Sequence, residues 1–289
     1  MRILLTGASG FLGKNLLPKL LSQGFDIILL SRNIADFHYL SKYKVKHLLY
    51  SDENGFKTEE IKKPDVIIHL ATYFVSEHKS SDIKKLVDAN ILLGLRLLEY
   101  SKQKKIDIIY TSSFSQTSSE FLFTSQNLYA ATKKVYEDLL LFYANTYQLR
   151  VINLELFDTY GPEDSRNKIV NSAIKSFVNN IDFKMSNGDQ EICLLHINDV
   201  VNAVNHSISL LSKIEGYKKY TLLNDLSIYK LKDLILQIKI ILGSQSKIKL
   251  GFYGYRKNEI FRLTSKHSKL LGWGPSINLI QGILQTVKK

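Results

Sequence analysis

Apolar positions fall along this chain in two alternating rhythms. Short apolar runs at residues 2–6, 26–30, 45–50, 66–71, 107–112 and 151–157 have the length and β-branched content of buried strands. Between them lie patterns with helical spacing, at residues 14–21, 82–103 and 128–147. The second of these puts Leu86, Ile91, Leu92, Leu95 and Leu98 on its apolar side. Strands apolar throughout, separated by helices, imply right-handed crossovers and a parallel sheet covered on both faces. After Gly161-Pro162 the rhythm loosens. Helices are expected near residues 167–178, 199–212 and 231–242, and short strands near 193–196 and 247–250. The pattern predicts an α/β fold: a doubly wound parallel sheet over residues 1–160 and a smaller α/β lobe over 161–289, some segments of which return to the first. No internal repeat, low-complexity stretch or long linker interrupts it.

The junction between the first strand and helix carries chemistry. Gly7, Gly10 and Gly13 form Gly-x-x-Gly-x-x-Gly within Thr6-Gly-Ala-Ser-Gly-Phe-Leu-Gly13. Gly7 permits a tight turn off the strand, Gly10 lets backbone N–H groups approach a pyrophosphate, and Gly13 lets the helix pack closely on the strand. With a strand before it and a helix after it, the motif reads as a Rossmann-like dinucleotide-binding unit. Its cofactor is expected to be NADP (NADPH), with NAD as the alternative. NAD enzymes of this fold place a carboxylate after the second strand to hold the ribose 2′-OH, whereas this chain has Leu30-Ser-Arg-Asn33. Arg32 is suited to stack on adenine and pair with a 2′-phosphate, an ordinary exposed arginine being the other reading.

Two further features turn a nucleotide-binding unit into a candidate oxidoreductase. Tyr129-Ala-Ala-Thr-Lys133 places a phenol and an ammonium one helical turn apart, on one face. A cation near a phenol favours proton exchange by lowering its pKa from about 10. Thr111-Ser112-Ser113 closes a parallel strand at its C-terminal end, where open α/β sheets bind ligands. Pattern alone proves little: 16 tyrosines and 39 lysines plus arginines in 289 residues give about two such spacings by chance. Tyr253 and Lys257 form a second one. Only Tyr129 follows a serine-bearing strand.

Taken together, these residues resemble the extended short-chain dehydrogenase/reductases that act on nucleotide sugars. The resemblance runs along nearly the whole chain. Thr6–Gly13 looks like that family's cofactor loop, with Ser9, Phe11 and Leu12 among its contacts. Asp65-Val-Ile-Ile-His-Leu-Ala71 is similar to its fourth strand, which brings Leu70 and Ala71 to the cofactor and Thr72 to the substrate. Asn90 matches the asparagine of the following helix, counted with the cofactor contacts, and Asp52 looks like an adenine contact or an ordinary turn aspartate. Ser113, Tyr129 and Lys133 fall on the catalytic Ser/Tyr/Lys positions. Phe157-Asp-Thr-Tyr-Gly-Pro162, Gly188-Asp-Gln190, His196-Ile-Asn-Asp-Val200 and Leu271-Gly-Trp-Gly-Pro275 complete the likeness. Stretches at 68–72, 158–164, 167–168 and 256–260 look closer to the CDP-abequose and CDP-paratose synthase branch.

The resemblance implies an NADPH-dependent C4-keto reductase of a nucleotide-linked 4-keto-6-deoxy or 3,6-dideoxy sugar, serving surface polysaccharide such as O-antigen. A nucleotide-sugar 4-epimerase with bound NAD is the alternative, and a non-catalytic NADP-binding scaffold a third reading. Phe114-Ser115 stands where dehydratases carry an Asp-Glu pair. Asp158 stands where many relatives carry a substrate-binding asparagine, and Ile192-Cys193 replaces a common Arg-Asp pair. Arg256 is then the first candidate for a substrate diphosphate, with Lys168 as the second or as a solvated residue. A homodimer is implied as well, through the helices at 82–103 and 128–147. The latter carries Tyr136, Leu139, Leu140 and Tyr143, with Val135 and Phe142 alongside.

Composition narrows the setting. A net charge of +12 would suit nucleic acid if the cations clustered, but they are scattered, so no nucleic-acid partner is expected. No apolar run approaches the roughly 20 residues that span a bilayer, and the first strand is too short for a signal peptide. One cysteine, Cys193, rules out an intramolecular disulfide and fits a reducing cytoplasm, where it reads as a small core residue. His69 reads as a core histidine, Trp273 as packing, and no His/Cys/Asp cluster has metal spacing.

Overall fold

The computed structural model describes residues 1–33, 45–116 and 125–287. The first body holds strands β1 (Arg2–Thr6), β2 (Asp26–Ser31), β3 (Lys46–Leu49), β4 (Val66–His69), β5 (Asp107–Ser113) and β6 (Val151–Leu156). Helices α1 (Phe11–Ser22), α2 (Ile83–Val87), α3 (Leu93–Lys104) and α4 (Leu128–Tyr147) cross between them. Between α2 and α3 the chain makes a π-helical turn, Asp88–Leu92. Every described neighbour pair among β1–β6 is parallel. β1, β2, β4, β5 and β6 are almost wholly buried, which is why they read as unbroken apolar runs.

The second half builds β7 (Asp158–Tyr160), α5 (Ile169–Val178), β8 (Phe183–Lys184), β9 (Glu191–His196) and α6 (Ile197–Leu210). There follow β10 (Tyr217–Thr221), β11 (Ile228–Lys230), α7 (Leu231–Ile241), β12 (Ile248–Lys249), β13 (Ser268–Lys269) and α8 (Leu279–Val287). β10 and β13 return to the first body and complete an eight-stranded sheet of order β13-β10-β6-β5-β4-β1-β2-β3. β11-β9-β7 and β12-β8 form two small sheets.

Two apolar layers cover the large sheet. One joins α1 and α6 to β1, β4 and β6, with Trp273 packed at its margin. The other joins α3 and α4 to the opposite face through Leu97, Leu98, Tyr136 and Leu140. A third cluster, centred on Phe177, Leu194, Leu234 and Ile283, makes the core of the smaller lobe. The cleft between that lobe and the C-terminal strand ends is where chains of this topology place ligands. Among the described residues no helix is long and apolar enough to cross a membrane.

Candidate active site

β1 ends at Thr6, and Gly7 turns the chain with φ +73°, a conformation that favours glycine. A Cβ on Gly7 would lie 2.5 Å from the Ala71 nitrogen, and one on Gly13 would overlap the Gly7 carbonyl. Gly10 N–H donates to Gly7 O at 3.0 Å and closes the turn. α1 then starts from Gly10 with no side-chain cap and no acid in its first turn. Its leading N–H groups therefore face the cleft without an internal anion, the setting a dinucleotide pyrophosphate requires. The turn is braced from behind: Thr6 Oγ1 accepts from Ala71 N–H at 3.1 Å and shares a hydrogen bond with His69 Nδ1 at 2.8 Å. Burial, with Lys133 adding to it, pushes His69 down to about 3, so this is a neutral core histidine.

β5 delivers Ser113 to the rim of the same cleft. Its hydroxyl bonds that of Ser115 at 2.8 Å, and its N–H donates to Gln116 Oε1 at 2.7 Å. Asn127 caps α4, accepting from Ala130 N–H at 2.9 Å. That cap places Tyr129 in the first turn and Lys133 one turn deeper. Burial raises the Tyr129 phenol to about 12, against the lowering influence of Thr72 and Arg166. Burial also brings Lys133 down to about 7. Its Nζ donates to Thr111 O at 2.6 Å and sits 4.5 Å from the Tyr110 ring centroid. Arg166 and the hydrogen bond from Thr72 favour the charged phenolate. Lys133 is held against the β5 backbone.

The smaller lobe forms the opposite wall. Lys168 meets Asp158 at 3.5 Å and lies 4.4 Å from the ring centroid of Phe74, whose edge packs on Tyr129 at 4.8 Å. Arg166 makes a bidentate pair with buried Asp164, at 2.7 Å to each oxygen, and donates to Thr159 O at 2.9 Å. It also stacks 4.3 Å from the Phe11 ring of the glycine-rich turn, joining the two walls. Arg256 is exposed on the loop that Tyr255 fastens to Asp189 by a 2.7 Å hydrogen bond.

These groups share one cleft of about 1240 Å³. Single small-molecule pockets typically measure about 300–1,000 Å³, so there is room for a dinucleotide and a second ligand. Gly7, Ser9, Gly10, Phe11, Leu12 and Gly13 line one end, together with Arg32, Asp52, Leu70 and Ala71. Thr72, Ser113, Tyr129 and Lys133 line the middle, and Asp158, Lys168 and Arg256 the far wall. Asn90, read from the sequence as a cofactor contact, does not line this cleft. It is 3% exposed in the π-helical turn, and its carboxamide is spent within the protein. Oδ1 accepts from Thr72 Oγ1 and Tyr73 N–H, both at 2.8 Å, while Nδ2 donates to Tyr73 O and Thr132 Oγ1. Asn90 shapes the wall without lining it.

Arg166, Phe74 and Gln116 were not read from the sequence. An Asp-x-Arg pair just after Gly161-Pro162 was the available signal for Arg166. The other two carry no local signature. Cys193 is buried on β9, its thiol pushed up to about 12 by burial. Among the described residues no group of His, Cys, Asp and Glu is arranged to hold a metal ion.

Comparison with known proteins gives the family and the fold. The family described as "NAD dependent epimerase/dehydratase family" matches residues 3–222. The CDP-abequose synthase of Salmonella typhimurium is 27% identical, over 99% of this chain and 97% of its own length. That of Yersinia pseudotuberculosis is 28% identical, over 93% of this chain and 94% of its own. Among solved structures, UDP-glucuronic acid 4-epimerase of Bacillus cereus, in complex with UDP-glucuronic acid and NAD, superposes with a TM-score of 0.83 at 21% identity. That match covers 99% of this chain and 98% of the other. The likeness is one of fold.

Proposed function

The chain belongs to the NAD dependent epimerase/dehydratase family, and we propose that within it the protein is an NADPH-dependent C4-keto reductase. Its substrate is a nucleotide-linked 4-keto-6-deoxy or 3,6-dideoxy sugar, and its setting is cytoplasmic surface-polysaccharide biosynthesis. The observation that carries this reading is the meeting of Ser113, Tyr129 and Lys133 in one cleft, between an anion-ready glycine turn and a second lobe. Full-length similarity to CDP-abequose synthases supports a reductase and CDP as the sugar carrier.

The chain's own groups divide the work. Gly7, Gly10 and the first turn of α1 receive the pyrophosphate, and Arg32 the 2′-phosphate, at the end of β2 where Leu30-Ser-Arg-Asn33 carries no carboxylate. When bound, the reduced dinucleotide supplies the hydride that the reduction needs. Tyr129, kept protonated at neutral pH by its raised pKa, gives its proton to the C4 oxygen. Ser113 Oγ holds that oxygen. Lys133, its Nζ donating to Thr111 O, lies one helical turn beneath Tyr129, placed to hold the nicotinamide ribose. Arg256 grips the substrate diphosphate. Lys168 is already matched by Asp158, which favours Arg256 over it for that task.

The protein is further proposed to be a homodimer. Tyr136, Leu140 and Tyr143 pack inside the monomer, which corrects their use as an argument for a contact between subunits. The outward apolar positions of α4 are Val135, Leu141 and Phe142, with Ile83 and Val87 exposed on α2. These supply the isologous contact.

The test is incubation of the protein with NADPH and a panel of nucleotide-linked 4-keto-6-deoxy sugars. Consumption of one NADPH per sugar reduced is expected. Interconversion of C4 epimers with bound NAD and no net consumption would replace the reductase by the epimerase. Arg32→Asp should weaken NADPH far more than NADH, since a phosphate partner becomes a repulsive charge. An unchanged ratio of kcat/KM for the two cofactors would sink the NADP assignment.

A further inference from the structure

Behind the catalytic side chains a half-buried carboxylate is linked to Ser113 by hydrogen bonds that the proton transfer itself does not use. Glu137 lies on α4 one turn beyond Lys133, on the same face. Its Oε2 accepts from Gln116 Nε2 at 2.7 Å, and Gln116 Oε1 accepts from Ser113 N–H at 2.7 Å. From the other side β10 supplies Tyr217, whose hydroxyl donates to Oε1 at 2.9 Å, and Lys219, whose Nζ lies 2.8 Å from that oxygen. Lys219 also reaches Glu155 of β6 at 3.7 Å, and Ser265 donates to Glu155 at 2.7 Å. Gln116 is 2% exposed. Burial pushes the Glu137 carboxyl up, but Lys219 and the hydrogen bonds from Lys219, Tyr217 and Gln116 bring it below the ordinary range, so it is ionised.

The charge decides the orientation of the carboxamide. A carboxylate only accepts, so it takes the NH₂ end of Gln116 and leaves the carbonyl end for the Ser113 N–H. A neutral amide at position 137 would remove one of the two constraints on Gln116, leaving only the Ser113 N–H, which bonds the carbonyl end alone, to orient it. We propose that Glu137 and Gln116 form a strut that positions Ser113, tying the end of β5 to an ion pair on β10. Both are positioning residues, since neither touches substrate. Their catalytic consequence rests on the reading of Ser113 as the group that holds the reacting oxygen. Misplacing a positioned group by about 1 Å can cost about 10²-fold in rate, so a loosened strut should be visible in kcat.

The experiment compares Gln116→Ala, Glu137→Gln and Ser113→Ala, singly and as double variants. Two readouts are taken: steady-state kinetics on a reduced keto-sugar, and hydrogen exchange of the Ser113 amide by NMR in the ligand-free protein. Gln116→Ala and Glu137→Gln should each lower kcat about tenfold with KM little changed, and the loss should vanish in the Ser113→Ala background. Amide exchange at Ser113 should rise in both, although residue 137 does not touch that amide. Losses that add in full to Ser113→Ala, or Ser113 exchange equal to wild type in both variants, would overturn the strut. If wild type reduces no sugar of the panel, the functional reading falls, and the exchange measurement alone decides the strut. If Glu137→Gln fails to fold, Gln116→Ala carries the test, because it leaves the Glu137–Lys219 pair in place.

Discussion

At the residue scale, two groups in one cleft are pushed by burial toward their neutral forms, with different consequences. Tyr129 is a phenol at neutral pH, as a proton donor must be. Tyr129→Phe should lower kcat by about 10²–10⁴-fold while leaving NADPH affinity nearly intact, as measured by stopped-flow kinetics and dinucleotide titration. A variant retaining more than about a tenth of wild-type kcat would exclude acid catalysis by this residue. Burial brings Lys133 down to about 7 in the folded protein, below the 10.5 of an exposed lysine in the unfolded chain. Between those values the unfolded state holds the extra proton, so the contribution of Lys133 to stability rises with pH. Lys133→Met should therefore stabilise the ligand-free protein, by an amount that shrinks as pH climbs through this window. Denaturant melts at neutral and alkaline pH check the sign. Ser113, Tyr129 and Lys133 were legible because a strand end and an i, i+4 spacing put functional groups in known places. Arg166 and Gln116 were not, because each acts through a partner that only the fold brings near: Phe11 for one, and the Ser113 amide and Glu137 for the other.

At the element scale, periodicity located the first six strands and their helices to within a few residues, because strands buried on both faces are apolar throughout. It missed β7, β8, β10, β11 and β13, two to five residues long, too short or too polar and exposed to carry a strand rhythm. It also read residues 82–103 as one helix, where the chain inserts the π-helical turn Asp88–Leu92. Such turns mark functional regions, and here the turn carries buried Asn90, whose hydrogen bonds join the loop after β4 to α4. Asn90→Ala leaves the partners on both elements unsatisfied, at about 1–3 kcal/mol for a buried group left unpaired. A lowered Tm together with a raised KM for the dinucleotide is expected. A lowered Tm with cofactor binding unchanged would confine Asn90 to a structural role.

At the scale of the whole molecule, the sequence divided the chain near residue 160, and the structure shows how the two parts are interleaved. β10 and β13 lie in the large sheet, α6 packs on α1, and Arg166 reaches back to Phe11. β10 pairs with β6 66 residues earlier and β13 with β10 48 residues earlier, separations that local patterning does not encode. Assembly is open to measurement. Light scattering at micromolar concentration should give twice the 33.1 kDa of one chain, and Phe142→Glu should yield the monomer. A wild-type monomer would reject the paired helices. The central claim is that this cleft delivers hydride to C4 of a nucleotide-linked keto-sugar while Tyr129 supplies the proton. The most direct measurement supplies NADPH deuterated on the transferred face and examines the sugar product by NMR. The account predicts deuterium at C4 in one configuration, one label per NADPH consumed, and none with Tyr129→Phe. Label absent from C4, or present equally in both C4 epimers, would contradict it.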